Sequence, residues 1–355
     1  MSKIYELFGY PVTAKNSSVK EFRRRAFCPF MSATCDGGGN RFQSEINLSD
    51  HPELQNFFSG MEKVSAGICS IQIRDDTPPW IICPRRLFYM GKNATPEIFR
   101  GETQTALLNK CNFPKGAQIG VWSELKIKYS RGEENPVTFD YTFDYVLMPL
   151  ATVTARQAAE FSNIPWSQLK RVLAENNYVV TKNNSEILIE NFPVGAPVIV
   201  EVMTSSTSGG NKKFRTTIPQ SFEDCILGRT HNAPGINYRQ VWARMASQLL
   251  VKSQAATEWG GIAIWIVQDT LADYISSSTA LNLKNFLSET TSEVNILSFA
   301  HNAKSFSLYS GSIRPNDKQE IRPCFQDIIL AAICPPRHVL ISALCKKIRA
   351  NVFIT

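Results

Sequence analysis

"PVIVEVMTSSTSGGNKK", residues 197–213, decides the architecture. Val198, Ile199 and Val200 form a short β-branched run between Pro197 and a Ser/Thr/Gly loop, the pattern of a buried strand. That strand delivers a carboxylate, Glu201, and then Met203 two residues on. An acid inside an apolar run is hard to read as a solvated surface group, because burying a charge without a partner is costly. The loop that follows is small, polar and basic, and its backbone amides have the chemistry to approach a phosphate.

Working outward, "AQIGVWSELKIKYS" (117–130) alternates as a strand does, "RGEENP" is a turn, and "VTFDYTFDYVLMPL" (137–150) is a second strand. "APVIVEVMT" (196–204) is a third, and "GGIAIWIV" (260–267) is a buried fourth. Between them lie helices. "TPEIFRGETQTALLNKC" (95–111) has a Thr-Pro start. "TTIPQSFEDCILG" puts Ile218, Phe222, Cys225 and Ile226 on one face, and "YRQVWARMASQLLVKS" repeats Val241, Met245 and Leu249 four apart. The expectation is an α/β core, residues 96–150 and 197–299, with a mixed sheet flanked by helices. Residues 151–196 read as an insertion: helix, turn at Pro165, helix, then a "YVVTKNNSEILIE" hairpin. This is the layout of a winged helix. A helical brace on the core is at least as common an outcome, and Lys170 and Arg171 in the second helix tilt the reading toward DNA contact. Residues 1–95 are cysteine-bearing and rich in turns. Residues 300–355 read as a tail ending in a basic helix.

The chain has 355 residues, enough for two domains, and 43% of them are hydrophobic, enough for a real core. Lys and Arg number 38 against 31 Asp and Glu, a net charge of +7 that permits a nucleic-acid partner without requiring one. No signal-peptide h-region and no stretch of membrane-spanning length is present, so the expectation is a soluble, cytoplasmic protein. The nine cysteines are then expected to be reduced thiols or metal ligands.

Acids cluster on the strands. Asp140 and Asp144 are an even number apart and share a face of the second strand, Glu201 lies on the third, and Glu124 on the first. Phosphodiester hydrolysis needs charge neutralisation and an activated water, and Mg²⁺ supplies both. It takes hard oxygen ligands, often one or two carboxylates plus waters. Any one of these acids is more often solvated or paired with Lys or Arg. Their combination with the 204–213 loop, including Lys212 and Lys213, favours a site.

Four cysteines precede the core: Cys28, Cys35, Cys69 and Cys83. Their gaps are irregular and do not make a zinc ribbon. A bland reading is four small buried hydrophobes. A structural metal is favoured because residues 20–85 carry too many turns and charges to form a good core unaided. Arg23, Arg24, Arg25, Arg85 and Arg86 flank them as candidate phosphate contacts. Cys111, Cys225, Cys324, Cys334 and Cys345 sit in apolar contexts and are expected in the core.

Taken in order, "FGYPV", "CPFMSATC", "GICSI", "WIICPRRLF", "VTFDYTFDYVL", "VIVEVMT", "YRQVWARMASQLL" and "GGIAIW" resemble segments of the NotI-type restriction endonucleases. The resemblance runs over nearly the whole chain, and the four-cysteine segment is its most specific part. It implies the PD-(D/E)xK nuclease fold and a prokaryotic type II enzyme: a homodimer that cuts palindromic double-stranded DNA with Mg²⁺. It further implies one iron on Cys28, Cys35, Cys69 and Cys83; thiolates suit zinc equally, so the expectation is one iron or zinc per chain. By position it puts the catalytic, Mg²⁺-binding acids on Asp140 and Glu201, with Glu124 as a further acid. The chain departs from the family at Met203, where the superfamily has lysine and the family glutamine. It departs again in the 151–196 insertion between the two acids. Lys126, Lys212 and Lys213 are candidates to assist the water in place of the missing lysine. A non-catalytic DNA-binding or regulatory protein, or a nuclease for modified DNA, are the alternatives, and Met203 favours the first.

Overall fold

The computed structural model describes residues 2–38, 44–91, 100–132, 137–183, 186–278, 282–313 and 334–355. Ten helices are used below: α1 (Ser17–Arg24), α2 (Pro52–Phe57), α3 (Pro84–Leu87), α4 (Arg100–Lys110), α5 (Ala155–Ser162), α6 (Trp166–Glu175), α7 (Ile218–Ile226), α8 (Tyr238–Glu258), α9 (Asp269–Ser278) and α10 (Arg337–Cys345). Eight short strands lie in the amino-terminal region: β1 (Lys3–Leu7), β2 (Tyr10–Pro11), β3 (Phe27–Cys28), β4 (Ala33–Thr34), β5 (Glu45–Asn47), β6 (Lys63–Ser65), β7 (Ile68–Gln72) and β8 (Trp80–Ile81). Nine more build the main sheet: β9 (Gln118–Arg131), β10 (Val137–Thr154), β11 (Val180–Asn183), β12 (Glu186–Pro193), β13 (Val198–Val202), β14 (Ile262–Gln268), β15 (Val294–Phe299), β16 (Phe306–Gly311) and β17 (Asn351–Ile354).

The fold is α/β, with a mixed sheet flanked by helices, as the periodicity predicts. β9 and β10 make a long antiparallel hairpin, and β13 runs antiparallel to β10. β14 then pairs parallel to β13, and β15 parallel to β14. β13 and β14 are buried nearly end to end, as central parallel strands covered on both faces must be. Helix α8 lies against β13, β14 and β15. Its Val251, Ala255 and Ala256 enter one core layer with Trp122, Phe143 and Trp259, and its Val241 and Met245 enter another with Trp265.

Three expectations about organisation change. The 186–193 strand does not stand off as a wing: β12 pairs with β10 from Leu150 to Thr154 and extends the main sheet. Ala158, Leu169, Leu173 and Tyr178 from the inserted segment share a core with Trp122 and Trp259, so the insertion is a brace on the sheet. The described parts of the carboxy-terminal segment, 300–313 and 334–355, are also built into the core. β16 pairs with β15, β17 pairs with β9, and α10 buries Leu340, Ile341 and Leu344, leaving the basic residues just after it. The amino-terminal region has a core after all: Ile4, Leu7, Phe8, Leu48, Leu54, Phe58 and Ile71 close around Phe222 of α7. These residues are scattered in sequence and meet only in three dimensions. Among the described residues no helix is long and apolar enough to cross a membrane. The Thr95-Pro96 helix start and Cys324 lie outside the described residues. Cys111 and Cys345 are buried, and Cys225 and Cys334 partly so.

Candidate active site

The β10–β13 register builds the site. Tyr145 pairs with Val200, Val146 with Ile199 and Leu147 with Val198. One step further along, Asp144 falls beside Glu201. The Asp144 amide faces Glu201 Oε1 at 3.4 Å, and the Val202 amide donates to Asp144 Oδ2 at 2.9 Å. Asp140 shares Asp144's face, as its spacing requires, but sits beyond the end of β13. It pairs with Lys126 at 3.3 Å and is 41% exposed, so the aspartate that meets Glu201 is Asp144 and not Asp140.

Glu201 is 3% exposed. Its Oε2 accepts from Lys252 Nζ at 2.5 Å, and the same ammonium donates to the Thr142 carbonyl at 2.8 Å. Lys252 is itself buried, with Nζ 5.5 Å from the Phe143 ring centroid. Burial, followed by the charge of Asp144, pushes the Glu201 carboxyl up to about 8 against the pull of Lys252. Burial raises Asp144 too. These groups open onto a cleft of about 420 Å³ also lined by Met203, Arg85, Arg244 and Gln248. Arg244, Gln248 and Lys252 are four residues apart on α8, so one helix face points all three at the cleft. Lys252 was missed in the sequence, although this polar stripe beside the apolar one was its signal.

Glu124 also lines the cleft, opposite Asp144 in β9, with φ at +50°. A non-glycine residue in the left-handed region is strained and held by its surroundings. Its carboxylate receives Arg85 at 3.4 Å and is 51% exposed. Met203 gives its amide to the Ile266 carbonyl and packs partly against the Trp265 core layer.

The remaining candidates separate. Arg85 faces the cleft, whereas Arg86 is buried in a bidentate pair with Glu6 (3.0 and 3.1 Å) and donates to the His301 carbonyl. That burial removes Arg86 from any phosphate. Lys170 and Arg171 are exposed on α6, with Arg171 3.8 Å from Glu175. Lys212 and Lys213 are exposed in the 204–213 loop. Several amides of that loop are committed inside the protein: Ser205 to Ile81, Ser208 to Gly235, Asn211 to Thr216 and Lys213 to Asn211. They are not available to cradle an anion.

Cys28, Cys69 and Cys83 are buried together with Cys35 packed against them. Backbone amides point at the sulfurs: Phe30 and Met31 at Cys28, Gly37 at Cys35, Gly9 at Cys69 (3.2 Å), and Arg85 and Arg86 at Cys83. Burial pushes the Cys28 thiol up to about 12 and raises Cys35, while the hydrogen bond from Cys69 lowers Cys83. Among the described residues, no group of three or more His, Cys, Asp or Glu side chains has an arrangement that would hold a metal ion. No family model matches this chain, and no curated protein or solved structure matches it either.

Proposed function

We propose that the chain is a Mg²⁺-dependent endonuclease of the PD-(D/E)xK type acting on double-stranded DNA, with Asp144, Glu201 and Lys252 as its working residues. The observation that carries the reading is the triad itself: two strand-borne carboxylates side by side, with a buried lysine 2.5 Å from one of them. The donor set fits a hard divalent cation. Two buried carboxylates side by side resist ionising together, a divalent cation would relieve that repulsion, and Mg²⁺ is commonly held by one or two carboxylates plus waters. When bound, the cation supplies a lowered water pKa and neutralises phosphate charge. The protein's own part is to orient that water. Lys252, fixed by Thr142 and Glu201, holds the lysine role that the strand lacks at Met203. A water oxygen bonds to phosphorus as the phosphorus–oxygen ester bond breaks, and a proton goes to the leaving oxygen.

A second cleft of about 400 Å³ shares Glu124 with the first and is lined by Lys126, Lys128, Lys346 and Lys347. Its charge suits a DNA backbone leaving the site. Site specificity, a palindromic target and a homodimer belong to the same proposal through the resemblance to NotI-type enzymes. A structural iron or zinc on the four cysteines rests on that resemblance alone: three of them are buried together with the fourth packed against them, but as they stand they do not form an arrangement that holds a metal ion. Incubation of plasmid and genomic DNA with the protein, with and without Mg²⁺, tests the activity. Discrete fragments that need Mg²⁺ and vanish with Glu201→Gln are the expected result, and uncut DNA under all conditions overturns it. Elemental analysis of the purified protein tests the cysteine site.

A further inference from the structure

We propose that Arg85 is a catalytic residue that takes up phosphate charge in the cleft, and that Asp36 is the positioning residue that aims it, so the cysteine loops complete the active site. The inference rests on the nuclease reading above.

Arg85 is held on the cysteine side by three features. Its amide points at the Cys83 sulfur. Its guanidinium lies 3.3 Å from Oδ2 of Asp36, the residue after Cys35, whose Oδ1 accepts from Gly38 at 3.0 Å. The guanidinium also lies 5.5 Å from the ring of Tyr89, which packs on the cysteine cluster. Gly38 lines the same cleft, and a Cβ there would come within 2.8 Å of Cys83 Sγ, so the loop passes this close only as glycine. On the other side the guanidinium reaches Glu124 at 3.4 Å and lines the cleft with Asp144, Glu201 and Lys252. Arg85 is 17% exposed, and its buried Nε has no hydrogen-bond partner.

A half-buried arginine with a spare donor, tethered behind and facing a half-exposed carboxylate in front, is set for an exchange. The Glu124 contact is weak because solvent screens it. A phosphate offers the same fork two acceptor oxygens and more charge. Arg85 thus keeps Asp36 and trades Glu124 for a non-bridging phosphate oxygen, where negative charge builds as the ester bond breaks.

The experiment uses full-length protein and a duplex carrying a cleavage site mapped with the wild-type enzyme. Single-turnover rates, duplex affinity and melting temperature are measured for each variant. Arg85→Ala is expected to slow cleavage about 100-fold or more while the duplex still binds. Arg85→Lys, which keeps the stem and the charge, recovers little because it lacks the planar fork. Asp36→Asn slows cleavage about 10-fold at unchanged melting temperature, and Asp36→Glu restores it. Wild-type rates for Arg85→Ala beside an inert Glu201→Gln overturn the role of Arg85 and leave the nuclease reading intact. Loss of binding with an unchanged rate at saturation also overturns it, making Arg85 an anchor. A wild-type protein that cuts no DNA overturns both.

Discussion

Lys252 Nζ lies 2.5 Å from Glu201 Oε2, yet the lysine comes from helix α8 and the glutamate from strand β13. Under the proposed nuclease reading a lysine would stand two residues after the acid, where this chain has Met203, and a thioether can neither donate there nor accept a proton. The helix supplies the ammonium from behind the sheet instead. Lys252→Met is therefore expected to reduce Mg²⁺-dependent cleavage to background. Glu201 already resists ionisation, so it takes up a proton when its partner goes, and the stability loss stays under the roughly 3–5 kcal/mol typical of breaking a buried pair. Met203→Lys in the Lys252→Met protein returns an ammonium beside the acid, and partial recovery of cutting is the outcome looked for. No recovery in a folded double variant would show that the helix position itself is required.

The pairing of Tyr145 with Val200 makes Asp144 the neighbour of Glu201. Asp144→Asn should abolish cleavage and leave duplex binding in place, whereas Asp140→Asn, losing only an exposed pair with Lys126, should cut near the wild-type rate. The reverse pattern in a plasmid assay would mean that the register governing catalysis differs from this one.

Burial raises Glu201 from an ordinary 4.5 to about 8. The sign follows from linkage: a raised folded value stabilises fully below about 4.5, and that stability is lost as pH rises toward about 8. Without Mg²⁺, the wild-type melting temperature should fall across this range, and Glu201→Gln should flatten the decline. In the proposed site Mg²⁺ would take the ionised carboxylate, so its protective shift should grow from about pH 6 to about pH 8.5. A shift independent of pH would remove Glu201 from the cation site.

Glu6 behaves oppositely. Burial alone would raise its carboxyl, but the His301 ring at 3.5 Å and the paired Arg86 overcome that and hold it at about 2. This stabilisation is present above about 4.5 and disappears as pH falls toward about 2. It amounts to about 3 kcal/mol. Glu6→Gln should lower the neutral-pH melting temperature and shrink the acid-induced loss. Matching acid-unfolding curves for wild type and variant would refute it.

Lys128 and Lys346 line the basic cleft that shares Glu124 with the proposed active site. Reversing both to Glu should weaken binding to all duplexes alike. Each lost phosphate contact should flatten the salt dependence of log affinity by about one. A change confined to one target sequence would instead mark these lysines as base readers.

Much of the fold was legible because strand and helix periods are local. The alternation of 117–130 and the aromatic and β-branched run of 137–150 became β9 and β10, and the i+4 apolar repeat became α8. The inserted segment showed its helices and hairpin but not their docking. Whether β12 forms a wing or a sheet edge depends on hydrogen bonds to β10 that no local pattern encodes.

The sequence by itself put Glu201 in a buried strand, Asp140 and Asp144 on one face, and four cysteines with five flanking arginines in one region. Only the tertiary structure decided which aspartate meets Glu201, because strand pairing sets that, and a period of two fits either choice. Only it brought Lys252 to Glu201 across 51 residues, and sent Arg85 to the cleft and Arg86 into a buried pair with Glu6. Adjacent residues of a short helical turn point in different directions. Which of them meets solvent, and which an acid, is fixed by the surfaces packed around them.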